Sequence, residues 1–346
     1  MEITHILQSW YQTHHRDLPW RQTQDAYRIW LSEIILQQTR VAQGLDYYIR
    51  FVNAFPTVGE LANATEDEVL KLWQGLGYYS RARNLHKAAI QVHDNFHDSF
   101  PTRYADLIRL AGVGPYTAAA IASFSSGEAV AVVDGNVYRV LSRLFDLDIP
   151  IDTNIGQKTF FDLASQLLDQ KNPGLHNQAI MEFGALQCTP SSPVCSDCPL
   201  QDKCLALSNH TIGERPVKAN KVEVRQRRLT YVLFKYEDKI WVHQRGAGDI
   251  WQGLWEYYLT PTEFSAEPDS DNLKRDLPSF QGNICKAFTL KHQLTHQLLI
   301  CDFYFVQLTK PITTLPQDYI QISWEEWQSK AVSKLISEAN QRFDAV

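Results

Sequence analysis

Residues 107–124 read LIRLAGVGPYTAAAIASF, two helical stretches joined by Gly112-Val113-Gly114. Glycines at both ends of a three-residue connection permit a sharp turn and expose backbone N–H groups beside a helix N-terminus, an arrangement that suits a phosphate oxygen. By itself the signal is modest, because a plain helical hairpin with a glycine turn looks the same. Twenty residues past Gly114, in AVAVVDGNVYRVLSR, a small apolar run ends on Asp134, followed by Gly135 and Asn136. Asp134 reads as the N-cap of the helix NVYRVLSR. A carboxylate at a helix start stays ionised and can face a cleft at the same time.

Outward from this stretch the pattern stays helical. From Tyr27 to about Leu207, apolar residues recur at three-to-four spacing in YRIWLSEIILQQ, EDEVLKLWQGL, ARNLHKAAIQVH and YADLIRLAG. Phe55-Pro56-Thr57 and Phe100-Pro101-Thr102 separate these segments, each predicting a helix entry with threonine near the cap. After Leu207 comes SNHTIGERPVKANKVEVRQRR, a polar, basic stretch without clear period. Beyond it RLTYVLFKY, KIWVHQR, LWEYYLT, KAFTL and LLICDFYFVQL alternate and are rich in β-branched and aromatic residues, and the tail EEWQSKAVSKLISEANQRF returns to helical spacing. The sequence predicts a multidomain chain: an all-α domain over residues 1–207, a linker over 208–228 and an α+β domain over 229–346. A length of 346 residues agrees, exceeding the roughly 100–200 residues of one domain.

Hydrophobic residues at 44% and charged residues at 21% are ordinary for a globular protein, and no run approaches the ~18 unbroken apolar residues of a membrane span. The start, MEITHILQSWYQTHH, lacks a basic segment followed by an apolar core, so no secretory signal is expected. A reducing, cytoplasmic setting of bacterial type follows. The formal charge of −6 is not that of a basic nucleic-acid binder. Residues 1–207 carry 16 basic and 22 acidic groups, whereas 208–228 carry 6 and 2. Any DNA contact by the first domain therefore comes from locally placed Arg and Lys, backbone amides and helix ends.

Four of the six cysteines, Cys188, Cys195, Cys198 and Cys204, fall as C-x6-C-x2-C-x5-C within 17 residues. With no secretion signal, metal is a better reading than disulfides. Structural zinc sites usually pair two short C-x2-4-C hooks; here one C-x2-C is flanked by unequal loops, which favours a [4Fe–4S] cluster, with zinc as the alternative. Cys285 and Cys301 lie in strand-like apolar runs and read as core residues.

The paired GVGPYT and VDGN motifs, followed by this cysteine pattern, resemble the helix-hairpin-helix DNA glycosylases of the endonuclease III superfamily. LPWR (18–21), SEIILQQTRV (32–41) and GLGYYSRARNLH (75–86) are similar to the N-terminal signatures of the adenine DNA glycosylases among them. The resemblance covers roughly residues 16–206 closely. Relatives that also cleave the DNA backbone carry a lysine nucleophile where this chain has Tyr116, so no Schiff base with the sugar and little or no lyase activity is expected.

Releasing adenine requires protonation of the departing base and stabilisation of a sugar with oxocarbenium character, work suited to two carboxylates. Glu33, among Ile34, Ile35 and Leu36, is the candidate acid, because desolvation there raises its pKa. The resemblance implies that Glu33 protonates adenine at N7 and then activates water, with ionised Asp134 under the sugar and Asn136 and Tyr116 shaping the same site. Since a base inside the duplex cannot be reached, it must be flipped out. The resemblance further implies Gln38 and Tyr78 as wedge residues, Arg16, Trp20, Arg21 and Leu36 as adenine-pocket lining, Gln178 as a polar contact, and Gly112, Val113 and Gly114 as the phosphate grip. In the six-residue loop between the first two cysteines, TPSSPV stands where relatives place Lys or Arg; Lys203 is a candidate replacement contact.

WQGLWEYY and KHQLTHQLLICDFYF resemble the Nudix-like C-terminal domain of adenine glycosylases, which recognises 8-oxoguanine. The glutamate-rich catalytic Nudix box is absent, so the domain is expected to read rather than hydrolyse. Where the family's loop carries Phe-Ser-His, this chain has Leu294-Thr295-His296. Thr295 and His296 are the expected lesion readers, without an aromatic contribution from Leu294. The expected partner is duplex DNA with 8-oxoguanine:A or G:A pairs, bound by a monomer and without a membrane. Two competing readings are a pyrimidine-lesion glycosylase with lyase activity, opposed by Tyr116, and a non-catalytic DNA-binding protein in which Glu33 and Asp134 only solvate or cap helices.

Overall fold

A computed structural model describes residues 2–220, 223–268 and 270–344. Two compact units emerge: Met1–Asn63 with Asn84–Lys221, and Ala64–Arg83 with Val222–Val346.

The first unit is helical. In chain order the helices are α1 (Glu2–His14), α2 (Ala26–Leu36), α3 (Val41–Ala54) and α4 (Val58–Asn63). After α5 (Glu66–Trp73), which belongs to the second unit, come α6 (Ser80–Phe96), α7 (Tyr104–Leu107), α8 (Pro115–Ser125), α9 (Gly135–Leu144), α10 (Asn154–Leu167), α11 (Pro173–Leu186) and α12 (Leu205–Ser208). Helix α2 is buried at every position from Ala26 to Ile35 except Arg28, so it lies inside the unit rather than on it. It packs on α8, whose run Ala118-Ala119-Ala120 lets the two backbones approach closely. Asp25 caps α2 through Tyr27 N, and Thr57 opens α4 by accepting from Glu60 N while Glu60 accepts from Thr57. Thr102 does not cap α7: Arg103 holds that position, and the Glu128 carboxylate accepts from Tyr104 N.

Most of the expected linker is fixed to this unit. Asp152 accepts from Ala219 N and Asn220 N at 2.8 and 2.9 Å, Ile151 N donates to Val217 O, and Arg215 pairs with Asp146 at 2.9 Å. Residues 221 and 222 of the linker lie outside the described residues, as do 269, 345 and 346 of the second domain.

The second unit is built on β1 (Arg225–Tyr236), β2 (Lys239–Gln244), β3 (Trp255–Glu256), β4 (Tyr258–Leu259), β5 (Gly282–Gln293), β6 (Gln297–Leu308) and β7 (Ile320–Ser323), with α13 (Ser270–Asp276), α14 (Trp324–Ser329) and α15 (Lys334–Phe343). The sheet order is β3-β2-β1-β6-β5, with β4 on β1 and β7 on β2; β1 and β6 run parallel, and β5 and β6 form a hairpin whose turn is Leu294-Thr295-His296. Tyr231, Tyr257, Leu299, Phe303 and Trp327 fill the core on one face and Val232, Phe234 and Val306 on the other. Cys301 is fully buried, as expected. Cys285 is exposed, correcting its reading as core: the apolar run it occupies alternates, and the period of two turns its side chain to solvent.

The segment 64–83 is tied to this sheet by named bonds. Asp67 accepts from Gln244 Nε2 at 2.9 Å and Trp255 Nε1 at 3.2 Å, Lys71 Nζ donates to Gln328 O and Lys330 O, and Tyr79 Oη donates to Val332 O.

Candidate active site

Asp134 does cap α9. Its Oδ1 accepts from Asn136 N and Val137 N at 2.9 and 2.8 Å, and its Oδ2 from Asn136 Nδ2 at 2.7 Å. Burial raises its pKa above the ordinary carboxylate value, and these hydrogen bonds oppose the shift. Glu33, on buried α2, shifts in the same direction. Burial pushes its carboxyl up to about 7, with the nearby Asp134 charge adding to the rise. Tyr116, on the first turn of α8, donates to Glu33 Oε2 at 2.7 Å and pulls the other way. The Tyr116 hydroxyl is itself held well above its ordinary value by burial and by the two carboxylates.

These groups share one cavity of about 610 Å³. Arg16, Trp20, Arg21, Leu36, Gln38, Asn136 and Gln178 line it as well. Its size lies within the range of small-molecule sites. Gln178 is engaged at its Oε1 by Tyr11 Oη at 2.8 Å.

One group at this site escaped the sequence reading. Glu182 on α11 is 1% exposed and gathers both arginines: Arg16 through its backbone N, Nε and Nη2, Arg21 through Nη1 and Nη2, at 2.5 to 2.9 Å. Burial opposes its ionisation, but the hydrogen bonds from Arg16 and Arg21 outweigh it and hold the carboxyl at about 2. The arginines expected to line the pocket are therefore fixed by a buried counter-charge. The available signal was one acid among apolar neighbours in AIMEFGAL.

The glycine turn follows its sequence signature, but the stretch before it does not: α7 ends at Leu107, and residues 108–111, expected to be helical, form turns and a bend. Gly112 has φ +72°, and a Cβ there would lie 2.7 Å from Asn84 Cβ, so both the conformation and the close approach require glycine. Val113 is buried, and Gly114 is the N-cap of α8. The first amides of α8 thus lack intrahelical acceptors.

The four cysteines line a cavity of about 30 Å³ together with Gln187, Pro193 and Val194. Burial, with a smaller contribution from Cys188, Cys204 and Cys195, pushes the Cys198 thiol up to about 11. Among the described residues, no three His, Cys, Asp or Glu side chains converge as ligands of a single ion. Two buried arginines of α9 tie the cysteine segment down. Arg143 donates to Thr189 O, Pro190 O and Ile212 O and reaches Cys188 Sγ at 3.4 Å. Arg139 donates to Cys188 O at 2.7 Å, Gly184 O at 2.6 Å and Asn136 Oδ1 at 2.8 Å. Lys203, the candidate replacement contact, pairs with Glu2 at 2.8 Å.

Tyr78, Thr295 and His296 are not in this cavity. They line another, of about 730 Å³, in the second unit, where the Tyr78 and Thr295 hydroxyls are in hydrogen-bond contact.

A helical unit with a glycine hairpin, a capping aspartate and a four-cysteine segment defines a base-excision glycosylase of the helix-hairpin-helix class. Residues 31–155 match the HhH-GPD superfamily of base excision DNA repair proteins, and residues 229–341 match the NUDIX domain. A thermostable thymine-DNA glycosylase superposes with a TM-score of 0.56 at 27% identity, covering 60% of this chain and 96% of that one. A non-covalent endonuclease III–DNA complex, at 20% identity and a TM-score of 0.53 over 60% of this chain and 95% of that one, shares the fold. The adenine DNA glycosylase of Buchnera aphidicola subsp. Schizaphis graminum is 35% identical over 73% of each chain, and that of Mus musculus 32% identical over 98% of this chain and 77% of the relative. The chain belongs to the adenine DNA glycosylases, DNA-binding enzymes of base excision repair that hydrolyse N-glycosidic bonds.

Proposed function

We propose that the enzyme removes adenine paired with 8-oxoguanine, or with guanine, from duplex DNA, with little or no cleavage of the backbone. The observation that carries this is the meeting of a raised carboxyl, Glu33, and a hydrogen-bonded one, Asp134, in a single cavity with Tyr116 and Asn136. In the flipped-out state, protonated Glu33 gives its proton to adenine N7, and the C1′–N9 bond breaks with its electron pair leaving on the base. Asp134 faces the positive charge that develops on the sugar, and Glu33, now ionised, takes a proton from the attacking water. Burial raises both carboxyls, but the three hydrogen bonds from Asn136 and Val137 favour the charged form of Asp134, whereas Tyr116 gives Glu33 one; this difference supports the division of labour. The arginines held by Glu182, with Trp20, Leu36 and Gln178, shape the base pocket. Gln38 and Tyr78 serve as wedges, and residues 112–114 grip phosphate through backbone amides. Tyr116 where a lyase needs an amine supports the absence of a Schiff base. Thr295 and His296 read the 8-oxoguanine.

Cys188, Cys195, Cys198 and Cys204 fit an iron–sulfur cluster: four thiols line one cavity, an arginine faces one sulfur, and the C-x6-C-x2-C-x5-C spacing departs from the paired short hooks usual for zinc. When bound, the cluster supplies a structural cross-link of residues 188–204 beside α9. No proton or bond transfer in base release passes through it.

The test is a duplex with an 8-oxoguanine:A pair. Free adenine should appear, strand breaks should appear only after alkali, and Glu33→Gln should abolish release. Binding of this duplex by the wild type without adenine release would leave a DNA-binding module instead.

A further inference from the structure

Eight non-glycine residues among those described have positive φ, and three of them line the two large cavities: Gln38 the first, Tyr78 and Trp251 the second. Gln38 and Tyr78 already have a proposed role. Trp251 does not. At φ +62° it occupies a left-handed conformation that a bulky residue adopts only when its surroundings enforce it, and such strain gathers at ligand sites.

The surroundings do enforce it. Arg245 Nε donates to Ile250 O at 2.8 Å, and Arg83 Nη1 donates to Gln252 O at 2.6 Å, so the carbonyls on both sides of Trp251 are held. Gly253 N returns to Arg245 O at 2.8 Å, and Arg245 is anchored in turn on Glu256 and Asp249. Gly248 and Gly253, at φ +100° and +79°, supply the turns that bring the indole out. The ring is half-buried, packed on one side against the sheet core, with its centroid 5.8 Å from that of His292.

Leu294 of the β5–β6 turn also packs against that core, leaving the lesion-reading turn without an aromatic surface. The same cavity holds Trp251 in a pre-organised loop, together with Tyr78 and Thr295. We propose that Trp251 is a substrate-binding residue, its indole forming the face on which the purine opposite the target adenine stacks. This rests on the reading of the cavity as the 8-oxoguanine site. Every purine has a π-face, so the indole contributes affinity, while hydrogen bonds from Thr295 and His296 contribute the choice between 8-oxoguanine and guanine once the base is seated.

The test uses the full-length protein in three variants. Trp251→Phe keeps a ring, Trp251→Leu keeps apolar bulk at the same backbone strain, and Trp251→Gly removes the side chain where glycine suits the backbone. Equilibrium binding is measured on duplexes carrying a non-cleavable adenine analogue opposite 8-oxoguanine, guanine or an abasic site, with circular dichroism as the folding control. Folded Leu and Gly variants should lose roughly ten- to a hundredfold in affinity for the 8-oxoguanine duplex. The Phe variant should keep most of that affinity, and the abasic duplex should show no such ordering. Equal affinities of the Leu and Phe variants, or a loss of the same size on the abasic duplex, would overturn the assignment. Should Thr295→Ala and His296→Ala lower the 8-oxoguanine preference while every Trp251 variant keeps wild-type affinity, the lesion reading stands and the Trp251 assignment falls. A wild type with no preference for 8-oxoguanine over guanine overturns both.

Discussion

The Tyr116 hydroxyl donates to Glu33 Oε2 at 2.7 Å, a hydrogen bond made to the charged form of a carboxyl that burial, despite this bond, still holds at about 7. The bond lowers the Glu33 pKa, so removing it raises that pKa further. A group acting as the acid is competent below its pKa and loses its proton as pH rises through it. Single-turnover adenine release by the wild type should therefore decline as pH rises through about 7. In Tyr116→Phe that decline should move to higher pH, with the acid side unchanged in position. An alkaline limb at the same pH in both proteins would show that Glu33 is not the titrating acid, or that the bond is not made in the complex.

Two buried groups predict separable losses of stability on acidification. His176 is 2% exposed, and burial depresses its pKa from 6.5 to about 4. Between those values the unfolded chain binds a proton that the folded chain does not, so stability falls as pH drops from 6.5 to about 4. Glu182, held at about 2 against an ordinary 4.5, contributes stability above pH 4.5 that is lost as pH falls to about 2. Thermal midpoints measured against pH should show both windows. His176→Asn should flatten the upper one and Glu182→Gln the lower. Glu182→Gln should also lower the midpoint at pH 7, because two arginines lose their buried counter-charge, a loss typically worth about 3–5 kcal/mol. Identical pH profiles for wild type and both variants would refute the assignment of these windows.

What the sequence made legible was local. The glycine at φ +72° and the aspartate cap depend on neighbours within a few residues, so GVG and VDGN could be read directly. Glu33 was legible because its own helix is apolar on every side. Glu182, Arg139 and Arg143 were not legible, since the partners that anchor them across the fold lie 45 to 166 residues away and no local pattern marks a buried charge as paired. The grouping of residues 64–83 with the sheet was equally hidden: EDEVLKLW has the period of any surface helix, and its bonds to Gln244, Trp255 and the carbonyls of Gln328 and Lys330 show where it docks. Cys285 was misread because an alternating strand puts half of its apolar residues outside.

Arg139 joins three places that the sequence keeps apart: Asn136, which contacts Asp134; the end of α11 at Gly184; and the first cysteine, through Cys188 O. Lysine cannot serve three acceptors in a fixed fork. Arg139→Lys and Arg139→Gln should both leave Asn136 loosely placed, lowering the single-turnover rate on the order of a hundredfold, as an ångström-scale misplacement does. Affinity for duplex DNA should change far less. If affinity fell as far as the rate, Arg139 would be supporting the whole DNA-binding surface rather than the Asp134–Asn136 pair.

Arg143, one turn further along α9, holds the cysteine segment by its carbonyls: Thr189 O at 2.7 Å, Pro190 O at 2.9 Å, Ile212 O at 3.2 Å and Arg215 O at 3.3 Å. These acceptors come from both ends of a stretch with little regular structure, and one buried guanidinium closes them together. Replacing it with glutamine cannot satisfy all four, and each unmet buried acceptor costs about 1–3 kcal/mol. Arg143→Gln should therefore open residues 188–215 locally before the helical unit melts. Limited proteolysis with mass-spectrometric mapping should find new cuts inside 188–215, and iron and sulfide content should fall together with them. Wild-type resistance to cleavage with a full complement of iron would mean that the backbone of this segment holds itself, and that Arg143 only fills the space behind it.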